Sequence, residues 1–155
     1  MKLPYFPSTS YTLVDTDYAL PAEAGFSWPT SRTAIENSLA TRSTRAIAGG
    51  TTMSAGIDRA VSILTGTNSL PLSNKVIILL TDGQWNAGRD PVLAAEDAAA
   101  AGITIHCVSM LTNSQQTLTD IASTTGGQYY PTSNTTELQA AFRELARNLP
   151  IVLTD

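Results

Sequence analysis

The run Lys75-Val76-Ile77-Ile78-Leu79-Leu80, closed by Thr81-Asp82-Gly83, is the stretch that sorts this chain into a fold class. Branched apolar residues follow one another from Val76 to Leu80 with no polar residue between them. A half-exposed strand alternates apolar with polar; an unbroken run is the pattern of a strand covered on both faces of a parallel sheet. Thr-Asp-Gly then ends the run as a turn. In open α/β sheets ligands collect at the carboxyl ends of strands, and Asp82 stands at such an end.

Elements of helical period surround this strand. Upstream, Gly49-Gly50-Thr51-Thr52 opens a helix in which Met53, Ile57, Ala60, Val61 and Leu64 fall on one face, with Gly66 as its stop. A polar turn containing Pro71 joins it to the strand. Downstream comes a loop, 83–90, that carries Gly83, Trp85, Asn86 and Gly88. Asp90 suits an N-cap and Pro91 a first helical turn. That helix runs to about Ala101 and ends at Gly102. A second apolar strand spans 103–110, a helix 115–125 ends at Gly126-Gly127, a short edge strand follows at 128–130, and a last helix, 136–148, is stopped by Pro150. Strands that alternate with helices over short links predict a doubly wound, mostly parallel sheet with helices on both faces.

The 155 residues are read as one domain. Residues 1–48 form an irregular N-terminal part with a short strand at 11–14 and a helix at 31–41, residues 49–149 the patterned α/β core, and 150–155 a tail. No internal repeat or low-complexity block interrupts it. With a net charge of −4, a pI near 4.8 and no basic patch, the chain lacks the means to neutralise phosphates, which excludes nucleic acid as a partner. No apolar run reaches the roughly 18 residues that a membrane span requires. The single cysteine, Cys107, leaves no internal disulfide. Serine and threonine make up roughly a quarter of the chain and lysine is scarce, a composition found in secreted and surface proteins.

Thr51 and Asp82 are the candidate site residues. A hydroxyl at a helix start and a carboxylate at a strand end can meet at one sheet edge and offer oxygen ligands to a hard divalent cation. Each also has a plain structural alternative, Thr51 as a helix cap and Asp82 as a turn residue. Trp85 and Asn86 either rim such a site or, in the case of the tryptophan, pack on a neighbouring helix. His106 is flanked by Ile105 and Cys107 on an apolar strand with no acid or second histidine nearby, which suits a structural role. Cys107 reads as a small buried residue. Ser54-Ala55-Gly56 resembles the end of a serine-hydrolase elbow but lacks the first glycine and a preceding strand. Neither a phosphate-binding glycine loop with its lysine nor an acid–base pair is evident, so no catalytic residue is assigned and the chain is read as no enzyme. Asn134-Thr135-Thr136 fits a glycosylation sequon and, equally, a polar loop that leads into a helix.

Taken together, GGTTMSAGIDRAVSIL, KVIILLTDGQWNAG, AAAAGITIHCVSM and LTDIASTTGGQYYPTSNTTELQAAFREL resemble a von Willebrand factor A domain, most closely the bacterial branch of Tad/Flp pilus-associated and other surface proteins. The resemblance implies a Rossmann-like doubly wound sheet and a metal-ion-dependent adhesion site (MIDAS), in which Thr51 matches the family threonine and Asp82 the family aspartate. It implies a non-enzymatic interaction or adhesion module at the bacterial surface or outside the cytoplasm, with Mg²⁺, Mn²⁺ or Ca²⁺ as cofactor and a protein partner whose acidic side chain completes the coordination. The family's D-x-S-x-S loop does not occur in these residues. Asp15-Thr16-Asp17-Tyr18-Ala19 is the nearest string, and only 36 positions separate Asp15 from Thr51, too few for the family's intervening elements. Residues 6–14 instead resemble the family's third strand and the turn before it, so the expectation is a domain that lacks the first strand, first helix and second strand. In the family's strand order that gap would open the edge of the 75–80 strand, to be filled by another chain, by strand exchange in a homodimer, or by pairing with 11–14. The alternative function is a metal-free structural or assembly scaffold of the same fold.

Overall fold

The computed structural model describes residues 51–66, 74–82, 84–110 and 115–148. The strand expected at 11–14, the helix expected at 31–41 and the tail lie outside the described residues. Helix α1 spans Met53–Leu64, strand β1 Lys75–Thr81, helix α2 Pro91–Ala100, strand β2 Ile103–Met110, helix α3 Gln116–Thr125, strand β3 Tyr129–Thr132 and helix α4 Thr135–Asn148. The strands form one parallel sheet in the order β1-β2-β3. This is the α/β architecture that the alternating pattern predicts.

Each helix has an identifiable start or stop. In α1, Met53 and Ile57 are buried and Ala60, Val61 and Leu64 pack beside them, as the spacing requires. Its end is made by Thr65 rather than by a left-handed glycine: the Thr65 N–H and hydroxyl both donate to the Val61 carbonyl, at 2.9 and 2.8 Å. Asp90 caps α2 by accepting the Val92 N–H at 2.9 Å, with Pro91 in the first turn. Gly102 and Gly126 take positive φ just past α2 and α3 and stop them. Asn134 and Glu137 form a reciprocal cap on α4: the Glu137 N–H donates to Asn134 Oδ1 at 3.0 Å, and the Ser133 N–H donates to Glu137 Oε2 at 2.7 Å. These bonds from Ser133 favour the carboxylate and hold the Glu137 pKa below its ordinary range. The sequon asparagine is thus a helix cap.

One face of the sheet carries the core. Ile77, Ile103, Ile105 and Cys107 project from the strands into a cluster with Met53 and Ile57 of α1, Ala94, Ala95 and Ala98 of α2, and Leu118, Ile121 and Ala122 of α3. The alanines of α2 let that helix sit between α1 and α3. On the other face α4 buries Ala141 and Leu145 against β2 and β3.

Strand β1 departs from the expectation of burial on both faces. Ile77 and Thr81 are buried and Leu79 packs on the core, but Ile78 is 41 % exposed and Leu80 43 %. These two share the face on which α4 lies, and α4 makes its sheet contacts with β2 and β3. Among the described residues nothing covers this face of β1. The run of branched apolar residues records what the strand can bury, whereas the burial achieved depends on a second layer above it.

A close approach joins the end of α3 to β2. Thr125 Oγ1 accepts the Ile105 N–H at 2.9 Å. Two residues on, a Cβ added at Gly127 would lie 1.9 Å from the Ile105 carbonyl oxygen. A side chain there must push backbone from backbone. Gly127→Ala is expected to cost about 3 kcal/mol or more, or to prevent folding, as read by urea denaturation; a loss under about 1 kcal/mol would contradict the close approach.

Candidate functional site

Strand β1 ends with Thr81 beside Ser109 of β2, and Asp82 is the first residue beyond it, exposed at the carboxyl edge of the sheet. From there the chain returns as the 84–90 loop and meets the start of α1. Trp85 is half-buried and packs on the hydrophobic core, so of its two readings the packing one holds. Asn86 does more than rim the edge. Its side-chain Oδ1 accepts the Thr51 N–H at 2.8 Å, while its own N–H donates to the Thr51 carbonyl at 3.1 Å. The Ala87 N–H adds a longer bond to the same carbonyl, at 3.4 Å.

Gly88 brings the two segments still closer. Its φ is +83°, and a Cβ there would stand 2.5 Å from Thr52 Cγ2 and 2.9 Å from Ser54 Oγ. Only a glycine meets both demands. Arg89 then spans two helices. Its Nε and one terminal nitrogen donate to the Asp58 carboxylate of α1 at 3.2 and 2.5 Å, and that nitrogen also reaches Asp97 of α2 at 2.7 Å. Hydrogen bonds from Arg89 to both carboxylates raise its pKa further above its ordinary high value, so the guanidinium stays charged.

Thr51 is not the helix cap. Thr52 occupies that position, and its side chain makes no capping bond. The structure ties the Thr51 segment to the loop leaving Asp82, and among the described residues the Thr51 hydroxyl and the Asp82 carboxylate make no hydrogen bond or ion pair. An alcohol and a carboxylate fit a hard divalent cation by donor type, but they are two donors where such ions take six or more. Among the described residues no group of three or more His, Cys, Asp or Glu supplies the remainder.

The other reactive side chains serve the fold. Ser54 is buried in the first turn of α1 beneath Gly88, not displayed on a strand-to-helix elbow. Cys107 is fully buried in the core, and burial pushes its thiol pKa up to about 12, where no thiolate forms near neutrality. His106 Nδ1 accepts the Gln128 N–H at 3.1 Å and so ties β2 to the segment before β3. At the carboxyl end of β2, Ser109 and Tyr129 share a 2.9 Å hydrogen bond, and the Tyr129 hydroxyl accepts the Gln115 N–H at 3.2 Å.

The sequence points to Thr51 and Asp82 and places Asn86 and Gly88 in the loop beside them, but it does not show that these two residues bind the Thr51 segment. Gly88 is a signal of a close approach, since a glycine within a loop marks a positive φ or a near neighbour. Nothing in the sequence says that the Asn86 side chain reaches back 35 residues.

With this geometry in view, comparison with known proteins identifies the class. The chain matches the profile of the von Willebrand factor type A domain over residues 8–144. It belongs to that family. Proximal thread matrix protein 1 of the mussel byssus is similar at 25 % identity with a TM-score of 0.66; the match covers 90 % of this chain and 34 % of that one. The same mussel protein solved with a zinc-occupied MIDAS motif matches at 24 % identity with a TM-score of 0.62, over 85 % of this chain and 32 % of that one. An uncharacterised membrane-spanning protein from Vibrio fischeri is 28 % identical with a TM-score of 0.47, over 52 % of this chain and 50 % of its own. The chain therefore spans about half the length of the Vibrio fischeri relative and about a third of the mussel protein. A search of curated proteins gave no match.

Burial lowers the His106 pKa, and its bond from Gln128 requires the neutral ring. A histidine kept neutral in the fold binds its proton more readily in the unfolded chain. Its contribution is therefore full above the unfolded value of about 6.5 and is lost as pH falls through the lower folded value. The Tm advantage of wild type over His106→Leu is expected to shrink between about pH 7 and pH 5 in thermal melts. A constant gap over that range would contradict this account.

Proposed function

We propose that this von Willebrand factor type A chain is a non-enzymatic protein-interaction module whose contact surface is the carboxyl edge of the sheet. In this reading Thr51 and Asp82 hold a hard divalent cation, Mg²⁺ or its substitutes Mn²⁺ and Ca²⁺. An acidic side chain of a protein partner, together with water, completes the coordination. The bound ion would supply positive charge beside Asp82 and so select a carboxylate from the partner.

The observation that carries the reading is the link from Asn86 to Thr51, which seats one oxygen donor beside the loop of the other while neither donor is engaged among the described residues. The zinc-occupied MIDAS motif of a mussel protein of the same fold supports looking for a divalent ion here. The Ser/Thr-rich, lysine-poor composition supports a place outside the cytoplasm, and the resemblance of the site strings supports a bacterial surface. A role in Tad/Flp pilus assembly is the finest form of the proposal and rests on the resemblance of the site strings.

Exposed Ile78 and Leu80, together with the place of β1 at one end of the described strand order, favour a second reading, a metal-free assembly scaffold or strand-exchanged homodimer in which β1 meets another chain. Light scattering after size-exclusion chromatography decides whether the chain is a dimer. Isothermal titration with Mg²⁺ and Mn²⁺ tests the leading reading. Wild type is expected to give a saturable heat that Asp82→Ala loses, with the two proteins melting at similar temperatures. Identical null traces would sink metal binding by this chain.

A further inference from the structure

We infer that Asn86 is the positioning residue of the Thr51–Asp82 pair, fixing the Thr51 backbone against the loop that leaves Asp82 and so setting how the two oxygens can share one cation. This deepens the cation-binding reading above and rests on it. Asn86 engages both polar groups of the Thr51 backbone, the N–H through its side-chain oxygen and the carbonyl through its own N–H. Thr51 is thereby held on both sides of its Cα, and the hydroxyl retains only rotation about its own side chain.

Contacts on either side keep Asn86 in place. Trp85, half-buried, packs on the core before it. Gly88 lies against Thr52 and Ser54 after it, and Arg89 grips Asp58, one helical turn beyond Ser54. Residues 86, 88 and 89 thus meet the Thr51 segment and α1 in order along the chain. A side chain with a carbonyl-type oxygen at this reach is what the Thr51 N–H requires. Aspartate keeps that acceptor, alanine removes it, and glutamine displaces it by one methylene.

The test combines two readouts on wild type, Asn86→Ala, Asn86→Gln and Asn86→Asp. Amide hydrogen exchange by NMR in metal-free buffer reads the link itself. Mn²⁺ titration by water-proton relaxation reads the site. The Thr51 N–H is expected to exchange faster in Asn86→Ala and Asn86→Gln and to regain protection in Asn86→Asp. Mn²⁺ affinity should fall about 10- to 100-fold in the first two, the range seen when a residue that orients a metal ligand is lost, and should recover in the third. Should Asn86→Ala not fold, Asn86→Gln carries the comparison. Unchanged Thr51 exchange in the folded variants, or Mn²⁺ affinity equal to wild type, would overturn the inference. A wild-type protein that binds no Mn²⁺ overturns the cation reading instead, and the metal-free exchange arm separates that result from failure of the link.

Discussion

Parallel pairing of β1 with β2 is the constraint from which the rest follows. Two parallel neighbours cannot be joined by a tight turn, so the chain must leave the carboxyl end of one and cross the sheet before it enters the other. Here the crossing is the 84–90 loop and α2. Every excursion starts at the same edge, and that edge inevitably gathers loop side chains and strand ends. Asp82 is there because β1 ends there. The start of α1 is there because the helix packs against the same sheet face, with Met53 and Ile57 in the core. That the start of α1 and the loop leaving Asp82 share this edge is therefore a product of topology, which the 84–90 loop refines by direct bonds to Thr51.

That refinement uses interactions of different reach. The ion pairs of Arg89 are exposed to solvent, where water and salt screen them. Their contribution is geometric, a fork that spans α1 and α2, more than energetic. The Asn86 bonds are short and directional and act on one residue. Contact between Gly88 and Thr52 is purely steric and defines how near the backbones come. An edge held by a side-chain amide, an absent side chain and a guanidinium keeps its form through different physical effects, each with its own dependence on salt and temperature.

Much of this is legible in the amino-acid sequence. The α1 spacing returns Met53–Leu64, and the apolar run with Gly102 ahead of it returns Ile103–Met110, because both patterns report burial that their own packing layer supplies. Asp90-Pro91 marks the α2 start because capping is a local event. The exposure of one face of β1 is not legible there, because composition states what a strand could bury and not whether anything lies over Ile78 and Leu80. In the site the donor residue types were legible, since hydroxyl and carboxylate chemistry belongs to the residue itself. The Asn86 link was not, because its partner is 35 positions away and is chosen by the fold of the loop. Von Willebrand factor type A membership, seen first in four strings, extends over most of the chain, residues 8–144.

The placement of Cys107 gives the molecule an internal reporter. It is the chain's one thiol, fully buried between the sheet and the helix layer, with its proton held up to about pH 12. A thiol reagent needs both access and thiolate, and the closed core denies it both. Modification must then wait until β2 separates from the helices above it. The speed of labelling in excess reagent becomes a clock for that separation, read at a single known atom. Since β2 lies between β1 and β3 among the described strands, the clock times the release of β2 and is blind to fraying of the strand ends on either side.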